Sequence, residues 1–393
     1  MSKNNKKKKK INVHIYPTDM LNEARIKKIV NTINSIQYFD HIYLLGINRN
    51  GELANHEKLN EKISIIRFPI DSNFWIKASF FKKIFSIIKF WLFILNFLIK
   101  NKPEVVNAHN LASLPPCIFY KVFYKHNIVY DTHELETERT GWSMVVKKIA
   151  KLFESFCIKF VNEIVVVNEP YAEYYKKKYN LDSLVVYNTP NYSQIKKDKY
   201  LHGKFNIRRK DKVFIYIGAL SKNRGIEEYL NFFDNTKLNI SLVFLGSGPL
   251  RDLIKKFELK KKNIYLPPPV NHLDVPKIIS SADFSISVLR SRKTSLSYEY
   301  AAPNKLFESI MAGVPILSGG LKFEAEFVTN NNIGMPVNFD KFTPDIGSSI
   351  KKLIKLDYKL LEENCKKLSK IYNWENQEVK IKNYMLHLLN INN

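Results

Sequence analysis

The sequence predicts an α/β protein with two doubly wound domains, each built around a parallel sheet. Two observations lead to this fold class. Apolar strand-like runs alternate with helical patterns along almost the whole chain, and the alternation stops once, at a lysine-rich stretch, before it restarts. The length of 393 residues agrees with two domains, because a chain of this size exceeds one ordinary hydrophobic core.

Strand-like runs mark both domains. In the first they are INVHIY, HIYLLG, SIIRF, EVVNAH, NIVYD, EIVVVN and LVVYN, and in the second VFIYIGA, ISLVFLG, NIYL, DFSISV and VPILS. Two such domains present a cleft at the carboxyl ends of both sheets, where ligands of these sheets bind. We predict a basic disordered tail over 1–10, a first domain over 11–195, a linker over 196–211, a second domain over 212–372, and a C-terminal helix over 373–393 that packs back on the first domain.

The composition restricts the partners and the compartment. Lys and Arg exceed Asp and Glu by 62 to 37, a net charge of +25 that favours phosphates, acidic lipids or nucleic acid. No recognised nucleic-acid module accompanies the charge, so nucleic acid is not expected as a partner. Three cysteines lie far apart, which argues against disulfides or a zinc site and favours a reducing, cytoplasmic location: Cys117, Cys157 and Cys365.

Two segments point to a membrane. The N-terminal MSKNNKKKKK is either a solvated tail or a contact to lipid headgroups. Ile84 to Ile99 is apolar on all sides and flanked by lysines, yet it is short for a membrane span of ~20 residues. It is either a buried helix or an interfacial helix with snorkelling lysines. We expect peripheral contact with an anionic membrane, at the inner face of the cytoplasmic membrane.

Two glycine-containing turns follow strands of the second domain. In YIGALSKNRG a strand ends at Gly218, and Arg224 precedes the next helix, where helix amides already favour anions. The alternative is an ordinary turn with a solvated arginine. The later LGSGP turn is weak evidence on its own, because turn geometry explains it equally well.

The stretch PNKLFESIMAGVPIL contains a lysine in an unusual place. Pro303 suits the first turn of a helix, and Lys305 lies in that turn, where a cation opposes the helix dipole unless an anion neutralises both. Glu308 lies one turn on, on the same face. The pair is either an exposed ion pair worth ~0.5 kcal/mol or less, or two groups that hold a phosphate and the hydroxyls of a ribose.

Several of these motifs together resemble a known family. Gly218 with Arg224-Gly225, LGSGP, SADFSISVL and PNKLFESIMAGVPIL occur in the order and spacing of the GT-B glycosyltransferases of family 4 (group 1). VVNAHNLASLPP, IVYDTHELETER and the closing W-x2-Q helix are also similar to that family. The resemblance covers essentially the whole chain.

The resemblance implies a nucleotide-diphosphate sugar as donor and a role for each matching residue. Arg224, Lys305, Asn304 and Gly218 match donor-diphosphate positions, and Glu308 matches the glutamate that hydrogen-bonds the ribose. His109 matches the histidine near the reacting sugar carbon, and the resemblance implies that it is the catalytic residue. His133, Glu134 and Arg25 are assigned to the acceptor side.

The chain departs from the family pattern at three places. The first glutamate of the E-x7-E motif is replaced by Tyr300, with Glu299 one residue away, so either residue is a candidate for gripping the ribose or sugar. Ala219 stands where the family often has arginine. The Gly-Gly loop after the first strand is missing, and Arg25 is a candidate to supply charge there. No Asp-x-Asp occurs, so no metal is expected.

The resulting hypothesis is a retaining, metal-independent glycosyltransferase of surface polysaccharide or glycolipid synthesis. It has no cofactor, uses a nucleotide-diphosphate sugar as co-substrate, and transfers the sugar to a glycan or lipid-linked acceptor. One alternative is another reaction on the same fold, a nucleotide-sugar epimerase or a sugar phosphorylase. The other is a catalytically degenerate scaffold at the membrane, which the replacements at Ala219 and Tyr300 leave open.

Overall fold

The structure, a computed structural model, describes residues 9–49, 51–70, 80–139, 141–222, 224–270, 274–288, 295–337 and 345–391. The chain divides into two compact units, Met1–Val186 with Gln377–Asn393, and Tyr187–Asn376. Most of the predicted tail over 1–10 lies outside the described residues, which begin at Lys9.

The first unit contains a sheet that has eight strands among the described residues, in the order β3-β4-β2-β1-β5-β6-β7-β8. All neighbours pair in parallel except the short edge strand β3, which runs antiparallel to β4. The strands are β1 Ile11–Ile15, β2 His41–Arg49, β3 His56–Lys58, β4 Ile63–Ile70, β5 Val105–Ala108, β6 Asn127–Asp131, β7 Glu163–Val166 and β8 Leu184–Val185.

Helices of the first unit connect these strands as the βαβ pattern predicts. They are α1 Ala24–Ser35, α2 Phe80–Asn101, α3 Leu114–Phe123, α4 Met144–Cys157 and α5 Glu169–Tyr179. Local sequence sets several helix starts. The side chains of Ser143 and Asn168 accept hydrogen bonds from the first turns of α4 and α5, so each satisfies an amide that the helix leaves unpaired.

The second unit contains a parallel sheet with the order β11-β10-β9-β12-β13-β14. Its strands are β9 Lys212–Ile217, β10 Ile240–Leu245, β11 Ile264–Tyr265, β12 Phe284–Ser287, β13 Ile316–Ser318 and β14 Gly334–Pro336. Its helices are α6 Tyr200–Lys204, α7 Ile226–Asn235, α8 Arg251–Lys260, α9 Val275–Ser280, α10 Leu296–Glu299, α11 Asn304–Met311, α12 Lys322–Asn330, α13 Ile346–Lys355 and α14 Tyr358–Ser369. Helix α15 spans Trp374–Leu388.

Strand β9 shows why the strands of this protein are continuous apolar runs in the sequence. Phe214 and Tyr216 belong to one buried cluster, while Val213 and Ile215 belong to another. Successive side chains point to opposite faces of the sheet, so helices must cover both faces. All the strand-like runs predicted from the sequence are strands in the structure, and β3 and β14 are additional edge strands.

Each sheet has one point where the direction of strand addition reverses. In the first unit it lies between β1 and β5, and in the second between β9 and β12. Loops that leave neighbouring strands at such a point run in opposite directions, and they leave a crevice at the carboxyl ends of the strands. The predicted site residues of each unit therefore have a defined place to meet.

Helix α2 packs on the first unit with one face and exposes the other. Its buried side chains are Phe90, Ile94 and Leu98, and Trp91 Nε1 donates to the carbonyl of Ala112 at 2.8 Å. In the described part of the chain, Ile84–Asn101 is the one stretch long and apolar enough to cross a membrane, by length and composition alone. The i, i+4 spacing of the buried side chains is that of a helix lying along a protein surface.

The C-terminal helix belongs to the first unit from Gln377 onwards, as the fold class predicts. Asn127 Nδ2 donates to the carbonyl of Leu388 at 2.8 Å, and Ile381 and Met385 are buried. Val379 is 56% exposed, whereas Gln377, one half-turn earlier, is buried. The stretch 196–211, predicted as a linker, contains α6 and belongs to the second unit.

Candidate functional site

A cavity of about 630 Å³ opens in the second unit, at the carboxyl ends of β9 and β10. It lies beside the point where strand addition reverses, where ligands of such sheets bind. Among the predicted donor residues, its lining includes Gly218, Arg224, Asn304, Lys305 and Glu308. The structure therefore brings together predicted diphosphate and ribose residues from two separate stretches of sequence.

The two glycine-containing loops pack backbone against backbone at the edge of this cavity. A Cβ on Gly246 would lie 1.9 Å from the carbonyl oxygen of Gly218, and a Cβ on Gly248 would lie 2.5 Å from that of Leu220. Gly218 has φ of 118°, and a Cβ there would meet nothing within 4 Å. Position 246 therefore requires glycine because the backbone of Gly218 approaches it closely. Position 218 requires glycine because of its positive φ, and its missing side chain leaves space beside the cavity.

Arg224 reaches the cavity from the loop that follows β9. It precedes Gly225, whose φ of 68° begins α7, and its Nε donates to Ser221 Oγ at 3.2 Å. Its positive charge is one of the causes that lower the pKa of Lys305, so the two cations act on each other across the same cavity. Two like charges in one cavity favour an anionic ligand.

Lys305 lies in the first turn of α11, where the sequence predicted it, but it is buried. Its Nζ lies 3.5 Å from the carbonyl oxygen of Val288 and 4.4 Å from the centre of the Tyr216 ring. Burial lowers the pKa of Lys305 below the ordinary lysine range, and Arg224 lowers it further, whereas Glu324 and Glu308 work in the opposite direction. The buried position excludes the alternative of an exposed surface ion pair.

Glu324 was not identified from the sequence. It lies in the first turn of α12 and has no exposed surface. Burial raises the pKa of its carboxyl group, and Lys305 partly offsets the rise. An acid in the first turn of a helix is so common, because of the helix dipole, that its position alone carries no functional signal.

The remaining residues predicted on the donor side differ in whether they line the cavity. Asn304 is exposed and accepts a hydrogen bond from Asn188 Nδ2 at 2.9 Å. Tyr298 lines the cavity, whereas Glu299 and Tyr300, the two candidates for the missing glutamate, do not. Instead, Lys322 Nζ lies 3.5 Å from the hydroxyl of Tyr300. Tyr298 is therefore the residue of this segment that the structure presents to a ligand.

In the first unit, three predicted residues meet around Asp131, at the end of β6. His109 Nδ1 lies 2.9 Å from Asp131 Oδ2, Arg25 Nη2 lies 2.7 Å from Asp131 Oδ1, and His133 Nε2 lies 3.4 Å from Asp131 Oδ2. Burial alone would raise the pKa of Asp131, but Arg25 and the two histidines hold it well below its usual range. Asp131 was part of a quoted motif but was not itself identified as a site residue.

His109 is fully buried and both of its ring nitrogens have partners. Its Nε2 lies 2.9 Å from His14 Nδ1, and His14 Nε2 lies 3.4 Å from Asn107 Nδ2. Burial lowers the pKa of His109. Burial also lowers the pKa of His14, to well below the usual range of a histidine. One set of neutral tautomers satisfies the chain: Asn107 donates to His14, His14 donates to His109, and His109 donates to Asp131.

The residues predicted on the acceptor side differ in exposure. Arg25 is buried, and its other nitrogen donates to the carbonyl of Val186 at 2.7 Å, so its charge is neutralised by Asp131 inside the unit. The side chain of His133 keeps 20% of its surface exposed, and Glu134 keeps 45% and pairs with Arg139 at 2.8 Å. His133 and Glu134 are thus the members of this group that a ligand can touch.

The same group contains side chains of the kind that bind metal ions. Single ligand atoms of His109, Asp131 and His133 lie within 4.8 Å of one another. However, the guanidinium of Arg25 already binds both oxygens of Asp131, at 2.7 and 3.3 Å, and a cation there would face a positive charge. The donor set therefore fits a metal poorly, and a metal-independent reaction stays a prediction.

Comparison with known proteins gives a family match in the second unit. Residues 198–371 match the family model for glycosyl transferases group 1. The match covers less than half of the 393 residues and lies within the second unit, which holds the cavity. No curated protein sequence matches the chain.

Solved structures extend the similarity to both units. Sucrose-phosphate synthase from Thermosynechococcus elongatus superposes with a TM-score of 0.74 at 12% identity, covering 98% of this chain and 100% of that one. Anabaena HepE in complex with UDP-glucose gives 0.67 at 10% identity, covering 95% and 99%. WaaG, a glycosyltransferase involved in lipopolysaccharide biosynthesis, gives 0.61 at 14% identity, covering 94% and 98%. The two Rossmann-like units thus have the GT-B fold, as predicted, whereas family 4 stays a prediction.

Proposed function

We propose that this protein is a glycosyltransferase that moves a sugar from a nucleotide-diphosphate sugar to a glycan or lipid-linked acceptor, with retention and without a metal. One observation supports the donor class above others. Arg224, Lys305 and the amino end of α11 converge on a single cavity beside an open glycine turn. Two cations and free helix amides are the groups that bind a diphosphate.

The same groups explain how the leaving group is stabilised. As the bond to the sugar breaks, negative charge develops on the diphosphate, and fixed positive groups in a partly dry cavity stabilise it without rearrangement. Lys305 is held in place by the carbonyl of Val288 and the face of Tyr216, so it is positioned before the ligand arrives. Glu308, one turn along α11, is placed to accept from ribose hydroxyls.

The first unit supplies the acceptor side in this proposal. His109 has no exposed surface, so we assign it a positioning role: it holds Asp131, which in turn contacts His133. His133 and Glu134 then approach the acceptor. Retention follows if the departing diphosphate takes the proton of the acceptor hydroxyl on the same face of the sugar.

The neighbours suggest where to begin the search for substrates. HepE binds UDP-glucose, and WaaG acts in lipopolysaccharide biosynthesis. We therefore propose a uridine-diphosphate sugar as the first donor to test and a surface polysaccharide or glycolipid as product, made at the inner face of the cytoplasmic membrane. A thermal-shift screen of nucleotide sugars ranks the donors, because a ligand that binds only the folded protein raises its melting temperature.

Substitution of the two cations tests the proposed function. Arg224→Ala and Lys305→Ala should each lower the rate of sugar transfer by about a hundredfold or more, since one fixed donor to a developing anion is worth that much. Lys256→Ala is the matched control, an exposed lysine of α8 away from the cavity lining. Transfer is followed by release of nucleoside diphosphate, and folding by circular dichroism.

Two outcomes contradict the proposal. Near-normal turnover in both alanine variants removes the diphosphate assignment. Conversion of the donor sugar without any acceptor, or cleavage that depends on phosphate, identifies an epimerase or a phosphorylase instead.

A further inference from the structure

Helix α4 has its polar side buried and its apolar side exposed. The buried residues of this helix are Glu154 and Cys157. Its large apolar side chains point outward, with exposed fractions that include 62% for Ile149 and 74% for Leu152. An amphipathic helix on a soluble protein ordinarily buries its apolar stripe, so this orientation is reversed.

The buried polar contacts fix α4 in this orientation. Glu154 accepts hydrogen bonds from the hydroxyls of Tyr130, Tyr175 and Tyr179, at 3.2, 2.8 and 2.6 Å. Turning the helix over would remove these bonds and leave three buried or half-buried tyrosine hydroxyls without this acceptor. The exposure of the apolar side is therefore a consequence of a specific, satisfied anchor.

The two helices beside α4 continue the same surface. Helix α3 contacts both α4 and α2. On α3, Val122 and Phe123 are exposed by 68% and 66%, and on α2 Phe85 and Leu92 are exposed by 57% and 59%. We refer to the outward apolar side chains of these three helices, typified by Phe85, Leu92, Val122, Phe123, Ile149 and Leu152, as the apolar face.

The charges around the apolar face identify its partner. The three helices contain eight lysines and one acidic residue, Glu154, which is buried. Lys147 and Lys151 pair with Glu138, and Lys121 bonds to neighbouring backbone and side chain, whereas other lysines are exposed: Lys82, Lys89, Lys100 and Lys148. Lys89 on α2 lies 4.6 Å from the centre of the Phe85 ring, so its stem covers apolar surface while its charge lies outside. Contact with a second copy of this face would bring lysines against lysines. An anionic lipid bilayer instead offers both a hydrocarbon layer and negative headgroups.

We propose that α2, α3 and α4 together dock the first unit on an anionic lipid bilayer through the apolar face. The apolar side chains insert into the boundary between headgroups and acyl chains, and the lysines contact the headgroups. The proposal deepens the proposed function and rests on it for its purpose, since an acceptor anchored in lipid has to be met at the membrane. The proposal also makes the amphipathic helix α4, rather than the basic tail, a main contact with the membrane.

Flotation with lipid vesicles tests the surface directly. Wild-type protein should float with vesicles of phosphatidylcholine that contain phosphatidylglycerol, and less so at high salt or with phosphatidylcholine alone. The double variant Ile149→Glu, Leu152→Glu should reduce the floated fraction by about tenfold, because it places charge at the centre of the inserted surface. Leu259→Glu is the matched control, since Leu259 lies on α8 of the second unit and is 77% exposed.

The outcomes separate the possible contacts. Equal flotation of the double variant and wild type, or no flotation of the wild type, overturns the proposal. Loss of flotation on removal of residues 1–8 with no loss in the double variant also overturns it, in favour of the basic tail. A wild-type dimer in light scattering that becomes monomeric in the double variant, without flotation, assigns the face to a second copy.

Failure here is distinguishable from failure of the proposed function. The thermal shift with a nucleoside diphosphate is measured on the same preparations, and the cavity that it reports lies in the second unit. If the protein binds the nucleotide but does not float with vesicles, the docking surface is contradicted and the donor assignment is retained. A protein that floats but binds no nucleotide sugar retains the docking surface and loses the donor assignment.

Discussion

Lys305 lies among three other charged groups, and their balance determines when it is protonated. Burial lowers its pKa, Arg224 from the loop after β9 lowers it further, and Glu324 on α12 and Glu308 on α11 raise it. A bound diphosphate stabilises the protonated form. When Lys305 is partly neutral in the free protein, binding must therefore take up a proton.

The affinity for nucleoside diphosphate should accordingly depend on pH. Protonated Lys305 exists below its pKa, so affinity should fall as the pH rises through that lowered value, before the ordinary lysine range is reached. Isothermal titration calorimetry across this interval measures the effect. In Lys305→Arg the profile should be flat, because a guanidinium stays protonated. The same slope in the arginine variant would show that another group controls binding.

Glu324 should act through Lys305. Glu324→Gln keeps the shape of the side chain but removes the negative charge that supports the protonated lysine. The fall in affinity should then begin at a lower pH than in the wild type, so binding on the alkaline side should be weaker. The control is Glu326→Gln, an exposed position on the same helix. Identical pH profiles for the two variants would separate Glu324 from the function of Lys305.

At the scale of residues, the sequence reveals a charged side chain in an unfavourable position more readily than one in a favourable position. Lys305 was recognisable because a cation at the start of a helix is unfavourable. Glu324 was not, because an acid at the start of a helix is ordinary. Asp131 was not identified for another reason. It lies far in the chain from His14 and His109, and only the pairing of β1, β5 and β6 in the fold brings the three residues together.

At the scale of elements, α4 shows what periodicity leaves open. Its sequence has a polar and an apolar side, but periodicity does not state which side faces the protein. Three tyrosines and one glutamate, from β6, α4 and α5, decide it. The edge strand β14 was missed for a local reason, because its sequence Gly-Met-Pro contains two residues that weaken strands and are tolerated at sheet edges.

The reversed orientation of α4 predicts an unusual pattern of stability. Glu154→Ala should lower the free energy of unfolding of the first unit by about 3–5 kcal/mol, since it leaves three tyrosine hydroxyls without an acceptor. Leu152→Ala should change it by less than about 0.5 kcal/mol, because the side chain is 74% exposed. Urea unfolding measures both. A larger loss at Leu152 than at Glu154 would contradict the described orientation.

At the scale of the whole molecule, the chain is divided where side-chain packing changes. The linker was predicted at 196–211 because periodicity stops there, whereas the second unit begins at Tyr187. Tyr187 explains the difference. Its ring packs against Phe307 and Tyr372, with centres 5.1 and 5.2 Å apart, so the chain joins the second core before any change in sequence pattern. Such long-range contacts have no local signature.

The same division predicts the effect of removing the C-terminal segment. A chain that ends at Asn376 lacks Ile381 and Met385, which are buried in the first unit, while the cavity proposed to bind the donor is formed by the second unit. Each lost side chain costs roughly 1.5–3 kcal/mol, so the first unit should be destabilised by several kcal/mol. Limited proteolysis should cut the first unit, and calorimetry should still detect nucleoside diphosphate binding.

Sugar transfer should be lost in that truncated chain, because the network around Asp131 belongs to the destabilised unit. A chain that ends at Leu389 is the control, since it retains the buried positions of α15 and should behave as wild type. Loss of nucleotide binding along with the first unit would mean that the second unit does not hold the donor cavity independently. Binding without transfer would instead assign the donor to the second unit and the requirement for the acceptor side to the first.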